Sequence, residues 1–276
     1  MPGAFFVRDG NRYVPTELTR GPWDRDSQHA GPPAALIGRE VMRVDGGSER
    51  QVGRITYEIL RAVPIAPLKV TASVVRPGRA VELVEASLAD ERGEVIRARA
   101  WRLREGEVEI PPGLSSQDGP GRVGTSPSTL RPGFAPPGPD EAKPGSFPDT
   151  GQDVGYHTAM EYRFVHGGFA EPGPAIGWMR MRVPLVEGEE PTPLERVLVA
   201  ADSGNGVSAI LDWSRYLFVN VDLSVHLHRP LAGEWVCLDA ITIPERTGIG
   251  IADTALYDEL GPIGRANQTL LVDARR

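Results

Sequence analysis

The chain has 276 residues, of which 40% are hydrophobic and 24% charged, as is ordinary for a globular protein. It has no run of about 18 apolar residues, so no membrane span is predicted. The formal net charge of −7 argues against general nucleic-acid binding, which needs a basic face. A single cysteine, Cys237, excludes an internal disulfide and a cysteine-based metal cluster. With no recognisable secretory signal, this predicts a cytoplasmic protein.

The first half of the chain, residues 1–109, opens with a hairpin signal followed by a helix. The stretch FFVRDGNRYVP is typical of two strands joined around Asp9-Gly10. After Gly31, the sequence PPAALIGREVMRV has prolines in its first turn and an apolar stripe, which predicts a helix. Alternating residues from Ile55 onward predict three or more strands, with a hairpin at ADERGEV.

Residues 110–156 differ from the rest of the chain in composition. Proline, glycine and serine dominate, and the apolar periodicity disappears. Such a segment cannot bury enough apolar surface to offset its chain entropy, so an extended linker is predicted.

The second half, residues 157–276, repeats the order of the first. Strand patterns at MEYRFV and IGWMRMRVPL precede the sequence PLERVLVAADSGNGVSAIL, which predicts one long helix. Thr192 and Glu195 have the spacing of a capping box at its start. Strands with a hairpin signal at YDELGPI follow.

The two halves also match in sequence. The stretch ITYEILRAVPIAPLKV (55–70) aligns without a gap on VDLSVHLHRPLAGEWV (221–236), and SLADERGEVIRARAWRL (87–103) aligns on ALYDELGPIGRANQTLL (255–271) with seven identities. The order, spacing and pattern agree, which indicates a tandem duplication. One helix beside several antiparallel strands in each half predicts an α+β fold in which a sheet wraps around the helix.

The chain resembles the double-hotdog acyl-CoA thioesterases of the thioesterase II type. The stretches that carry the resemblance are HAGPPAALIG, ILRAVPIAPLKVTASVVRPGRAVELVEASL, AADSGNG, VDLSVHLHRP and GRANQTLLV. The resemblance covers nearly the whole chain apart from the linker, and it implies two tandem hotdog repeats. It further implies that a polar trio in the second repeat holds the hydrolytic water, and by position this trio falls on Asp202, Asn220 and Gln268. Asn220 departs from the hydroxyl residue usual at its position.

The residues themselves support this trio unequally. Asp202 interrupts an apolar helical stripe, where a carboxylate must be paired, hydrogen-bonded or protonated if it faces the sheet. Alternatively it bonds locally to the next amides in an Asx-type turn. Strand alternation puts Gln268 on one face with Ala266 and Leu270, so its amide needs partners there, unless it lies at an exposed strand end. Alternation puts Asn220 on the outer face, from which it reaches inward only if the strand begins or bulges there.

The first half lacks such a trio, since Arg54 and Ala100 stand at the positions that align with Asn220 and Gln268. The first half can instead supply groups that polarise the carbonyl of the substrate. Free backbone N–H groups at a helix start polarise a carbonyl, and the resemblance assigns this role to Gly31. The alternative is plain capping.

Other site types are less well supported. His226 and His228 share a strand face but have no third ligand at a matching spacing, so no metal site is predicted. Arginines such as Arg97, Arg99 and Arg102 suit coenzyme A phosphates, yet cross-strand pairs with glutamates are the default.

The resemblance, together with these residues, implies hydrolysis of an acyl-CoA thioester to a free acid and coenzyme A, by a water oriented by Asp202 and Gln268. No metal or redox cofactor is needed, coenzyme A is part of the substrate, and a homodimer is expected because exposed sheet edges tend to be covered. A covalent acyl-aspartyl route stays open. Two other functions also stay open: a non-catalytic acyl-CoA or lipid-thioester binding protein, and a hotdog hydratase or dehydratase. The hydratase ranks last because such enzymes usually pair Asp with His, and the sequence suggests no histidine near the helix that carries Asp202.

Overall fold

The computed structural model describes residues 3–46, 50–109 and 136–275. Its helices are α1 (Gly31–Arg43), α2 (Tyr156–Ala159), α3 (Pro193–Ala201) and α4 (Gly204–Val207), besides two short 3-10 turns. Its strands are β1 (Phe6–Asp9), β2 (Arg12–Pro15), β3 (Arg50–Ile59), β4 (Lys69–Arg76), β5 (Val81–Asp90), β6 (Gly93–Arg104), β7 (Lys143–Pro144), β8 (Met160–Gly168), β9 (Glu171–Met181), β10 (Tyr216–Asn220), β11 (Asp222–Leu227), β12 (Val236–Pro244), β13 (Ile249–Asp258) and β14 (Gly261–Ala274). No helix in these ranges is long and apolar enough to cross a membrane.

One antiparallel sheet of 12 strands runs through both halves, in the order β4-β5-β6-β3-β11-β14-β13-β12-β9-β8-β7, with β10 also paired to β14. The first four strands mirror the next four about the β3–β11 junction. At this junction Tyr57 lies opposite Leu223, and the same two residues are aligned in the sequence repeat. A pseudo-twofold axis therefore passes through this pair, which confirms the predicted tandem repeat of two hotdogs. The predicted domain boundaries stay a prediction.

The two long helices pack against each other in antiparallel directions. The first predicted helix is confirmed as α1, whose residues Ala34–Ile37 are buried. A Cβ on Gly31, at the start of α1, would lie 2.4 Å from the carbonyl oxygen of Val199, near the end of α3. Farther along α1, Arg39 contacts Glu195, near the start of α3. The start of α1 therefore lies beside the end of α3, at the junction of the halves.

The prediction of one continuous helix from Pro193 onward is wrong. The capping box forms, with Thr192 and Glu195 bonding each other's backbone N–H groups, but α3 ends at Ala201 and only the short α4 follows. Glycine is a poor helix former, and Gly204 also lies against the sheet. A Cβ on it would be 2.4 Å from Thr254 Oγ1. The break leaves Asp202 at the end of α3, facing the junction.

The predicted linker falls only partly within the described residues, since 110–135 lie outside them. The remainder consists of irregular chain with turns and the short β7, and it packs on the folded body. Trp178 Nε1 donates to the Pro137 carbonyl at 2.8 Å, and β7 pairs with β8. Gln152 Nε2 donates to the Gly21 carbonyl in the first half at 3.3 Å.

Candidate active site

A cavity of about 390 Å³ lies where the start of α1 meets the end of α3. We call it the junction cavity. Its wall takes residues from segments 21–30, 59–63, 202–206 and 213–221, together with single residues that include Phe147, Tyr156, Tyr162 and Phe169. Both halves of the chain and the segment between them therefore contribute to it.

Asp202 lines this cavity although only 8% of its surface is exposed. Asn220 Nδ2 donates to its Oδ1 at 2.9 Å and Gln268 Nε2 to the same atom at 3.2 Å. The backbone N–H groups of Gly31 and Ala30 also bond the carboxylate. Burial raises the pKa of Asp202 to about 7, and these donors oppose the rise. Asp202 can therefore exchange a proton near neutral pH.

Gln268 lies on the inner face of β14 with Ala266 and Leu270, as alternation predicts, and all three are buried. Besides its bond to the carboxylate, Nε2 donates to the Asp202 carbonyl at 3.1 Å, while Oε1 accepts the Asn205 N–H at 3.0 Å. Gln268 does not reach the cavity wall. It therefore fixes Asp202 and the turn after it from behind.

Asn220 reaches Asp202 because of a strand irregularity. From Asn220 to Ser224 the chain advances four residues, while the paired β14 advances three, from Leu270 back to Asn267. This extra residue is a β-bulge, which changes the face to which a side chain points. Alternation alone would have left Asn220 outside.

His29, which sequence reasoning missed, completes the surroundings of Asp202. Its Nδ1 lies 3.0 Å from Asp202 Oδ2, and its ring stacks on Tyr156 with centroids 3.7 Å apart. The expectation that no histidine lies near the helix carrying Asp202 is therefore wrong. His29 stands two residues before α1, and only the contact between the two helices brings it to Asp202. Its place just before a helix start that the sequence already indicated was the available signal.

The histidine and the carboxylate form a pair that shares one proton. Burial lowers the pKa of His29 to about 3, so its ring is neutral at physiological pH. A neutral imidazole bonds a carboxyl oxygen either through its own Nδ1–H or through the proton of the acid, so one proton lies between Nδ1 and Oδ2 in either case. Unlike an arginine, this partner leaves Asp202 free of a fixed positive charge.

Gly31 lies behind the wall rather than on it. Its N–H lies 3.1 Å from His29 Nδ1, to which it donates only while that nitrogen carries no proton, and it also bonds the Asp202 carboxylate. Its lack of a side chain permits the close approach of Val199. The N–H is thus engaged within the chain, and its expected role toward a thioester carbonyl stays a prediction.

A second cavity, of about 350 Å³, lies at the opposite end of the helix pair, where α1 ends and α3 begins. Here Arg39 Nη1 pairs with Glu195 Oε1 at 3.0 Å, and Arg39 also pairs with Glu189. The Arg43 guanidinium contacts Glu189 at 3.0 Å. We call this the ion-pair end.

In the described ranges, no group of three His, Cys, Asp or Glu side chains could hold a metal ion, and the absence of a metal stays a prediction. Arg97 pairs with Glu94 at 2.6 Å, Arg99 with Glu85 at 2.5 Å, and Arg102 with Glu82. Arg99 and Arg102 therefore form the expected cross-strand pairs, whereas Arg97 and Glu94 lie on the same strand, β6.

Comparison with known proteins agrees with the fold. Models of the acyl-CoA thioesterase N-terminal and C-terminal domains match residues 19–103 and 139–272. A protein provisionally named thioesterase II from Thermobifida fusca YX superposes with a TM-score of 0.72 at 17% identity, over 98% of this chain and 95% of that one. A hotdog-fold protein of unknown function from Alicyclobacillus acidocaldarius superposes with a TM-score of 0.70 at 13% identity, over 98% of this chain and 96% of that one. An acyl-CoA thioesterase II from Mycobacterium marinum superposes with a TM-score of 0.62 at 15% identity, over 97% of this chain and 93% of that one. No curated protein matches the chain in sequence.

Fold and geometry together define a double-hotdog protein with a buried carboxylate, Asp202, at the junction of its halves. The two matched domains jointly span most of the chain, and the chain belongs to the acyl-CoA thioesterase family.

Proposed function

We propose that this thioesterase hydrolyses an acyl-CoA to a free acid and coenzyme A in the junction cavity. The observation that carries the proposal is Asp202: a carboxylate on the wall of the cavity, held by neutral donors, with a pKa raised to about 7. Such a group accepts a proton at physiological pH and returns it in a later step, as a general base must.

In the proposed reaction, ionised Asp202 takes a proton from a water molecule while the water oxygen bonds the thioester carbon. The tetrahedral intermediate then collapses, the C–S bond breaks, and the proton passes from Asp202 to the departing thiolate. Asn220 and Gln268 orient the carboxylate through Oδ1, and His29 does so through Oδ2. Direct attack by Asp202 to form an acyl-enzyme is the alternative chemistry at the same atom.

Polarisation of the thioester carbonyl is assigned to the amides at the start of α1, with Gly31 as the expected donor. Its N–H lies against Asp202 and His29, so a carbonyl that uses it would replace one of these acceptors. The reaction needs no metal or redox cofactor, because the base and the donors are all side chains or amides.

Release of free thiol from short, long and aromatic acyl-CoAs, with Asp202→Ala beside wild type, tests the proposal. Turnover that collapses in the variant while thermal unfolding stays cooperative is the expected result. Equal background rates for both proteins would overturn it. If those proteins still bound acyl-CoA in calorimetry, a non-catalytic binding protein would replace it.

One observation favours a second candidate, a hydratase. The His29–Asp202 contact at 3.0 Å is the Asp–His pairing that sequence reasoning found missing. In that reaction, water would add across the double bond of a 2-enoyl-CoA without release of thiol. Loss of enoyl absorbance without free thiol would establish it, whereas thiol release from saturated acyl-CoAs would favour hydrolysis.

We further propose a cytoplasmic homodimer. β4 forms an open edge of the large sheet, and such edges tend to be covered. Light scattering after size-exclusion chromatography should give twice the chain mass. A monomer at micromolar concentration would contradict the dimer.

A further inference from the structure

The wall of the junction cavity is unusually rich in aromatic rings. The chain has 5 tryptophans, 6 tyrosines and 7 phenylalanines, and seven of these eighteen residues line this one cavity: Trp23, Phe147, Tyr156, Tyr162, Phe169, Trp213 and Phe218. Aliphatic side chains are far commoner in the chain, so this wall does not simply reflect composition.

The rings contact one another. Phe147 and Phe169 have centroids 4.4 Å apart, and Tyr162 meets Phe169 edge-on at 5.0 Å. Trp23 stacks on Trp213 at 4.1 Å. Phe147 meets Trp213 edge-on at 6.1 Å, which joins the two groups. The wall is therefore a connected network of ring faces and edges.

The rings also adjoin the reacting groups. Tyr156 stacks on His29, which contacts Asp202. Phe218 stands two residues before Asn220 on β10, so the two side chains share a face of the strand. An acyl group bound beside Asp202 thus meets aromatic rings within its first few carbons.

We propose that the acyl group of the substrate carries an aromatic ring close to the thioester carbonyl, and that the connected rings of the cavity wall, which include Phe147 and Phe169, favour it. This inference rests on the proposed function. A planar ring gains offset or edge-to-face contacts with the rings of the wall. A straight alkyl chain gains no such directional contact and loses more rotational freedom when it is ordered.

The test compares phenylacetyl-CoA with octanoyl-CoA, which has the same number of acyl carbons, and with cyclohexylacetyl-CoA, whose ring is not planar. Because the coenzyme A portion is constant, stacking of its adenine on Trp23 or Trp213 cancels in the ratio of kcat/KM values. We expect phenylacetyl-CoA to exceed octanoyl-CoA by roughly tenfold, with cyclohexylacetyl-CoA closer to octanoyl-CoA.

Phe169→Leu should reduce the ratio of phenylacetyl-CoA to octanoyl-CoA at least about threefold, with a cooperative unfolding transition retained. The matched control, Trp101→Leu, removes a ring from the first-half sheet outside the cavity and should keep the ratio. A wild-type ratio of one or less would overturn the inference while hydrolysis still supported the proposed function.

Absence of hydrolysis with every thioester would instead overturn the proposed function. The ring preference is then read from calorimetric Kd values for the same three thioesters on Asp202→Asn. Equal Kd values would overturn the inference independently of turnover.

Discussion

The two ends of the helix pair occupy equivalent places about the pseudo-twofold axis, and each buries a carboxylate. Asp202 is 8% exposed and Glu195 is 1% exposed. At the ion-pair end, Arg39 neutralises Glu195. At the junction cavity, the partners of Asp202 are neutral amides and an uncharged imidazole. Burial is therefore common to both ends, and the charge of the partner decides whether the carboxylate can accept a proton near neutral pH. A fixed cation keeps a carboxylate ionised in a structural ion pair, whereas neutral partners leave it basic enough to act as a general base.

The largest effect should come from Asp202→Asn, which removes the base and keeps the shape. We expect kcat to fall by about 10² to 10⁴. A carboxyl whose folded pKa is raised to about 7 keeps its proton in the folded state after the unfolded chain has lost it. Stability of the wild type is thus lost as pH rises from about 4 to 7.

Asn cannot ionise, so the variant should be more stable than wild type by up to about 4 kcal/mol above pH 8, with the difference vanishing near pH 4. Denaturant unfolding at both pH values measures this. A variant that is less stable than wild type at pH 8 would show that burial of the ionised carboxylate does not destabilise the folded protein.

The reverse pattern is expected at the ion-pair end. Arg39→Met leaves Glu195 buried without its cation, which should cost roughly 3–5 kcal/mol of unfolding free energy. Since this end is remote from the junction cavity, kcat at a temperature where the variant is folded should equal that of wild type. A catalytic loss with an intact fold would mean that the two ends are coupled.

Gln268→Leu should weaken catalysis by roughly 10- to 100-fold. It removes a donor to Asp202 Oδ1 and the acceptor of the Asn205 N–H, so the carboxylate loses its orientation. Steady-state kinetics should show the change mainly in kcat, because the side chain does not reach the cavity wall. A rise in KM alone would point to substrate contact instead.

The smallest expected effect is a shift in the pH dependence of kcat/KM, produced by a substitution that gives Asp202 a cationic partner like the one at the ion-pair end. In the wild type, kcat/KM should rise with pH through about 7 as Asp202 ionises, and His29, with a pKa lowered to about 3, adds no limb above pH 5. Asn220→Arg brings a cation to the carboxylate; the aligned position of the first half already holds an arginine, Arg54.

A nearby cation should move the acidic limb down by about one unit or more and lower the plateau, because Asp202 becomes a weaker base. Asn220→Asp should move the limb upward, through like-charge repulsion. Identical limbs in all three proteins would show that another group titrates.

What the sequence predicts well here is local. The first helix and the inward face of Gln268 depend on periodicities of 3.6 and two residues, and the tandem repeat depends on the alignment of its two halves, all of which are read directly from the residues. The mirrored strand order and the pairing of Tyr57 with Leu223 agree with the duplication. The catalytic roles of Asp202, Asn220, Gln268 and Gly31 stay predictions.

What it predicts poorly depends on contacts between distant segments. His29 lies in a loop with no periodicity, and the antiparallel packing of α1 on α3 brings it to Asp202. The helix break after Ala201 lies where Gly204 packs closely on Thr254 of β13. The bulge that turns Asn220 inward requires the register of β14. None of these is encoded in a short window of residues.

The pairing of β3 with β11 has an evolutionary consequence. In a dimer of identical subunits, every substitution appears twice, once on each side of the axis. Here the equivalent interface lies within one polypeptide, so each side mutates separately. That freedom allows Asp202 at one end and Arg39 at the other to coexist, and an ancestor with two identical chains could not have held both arrangements at once.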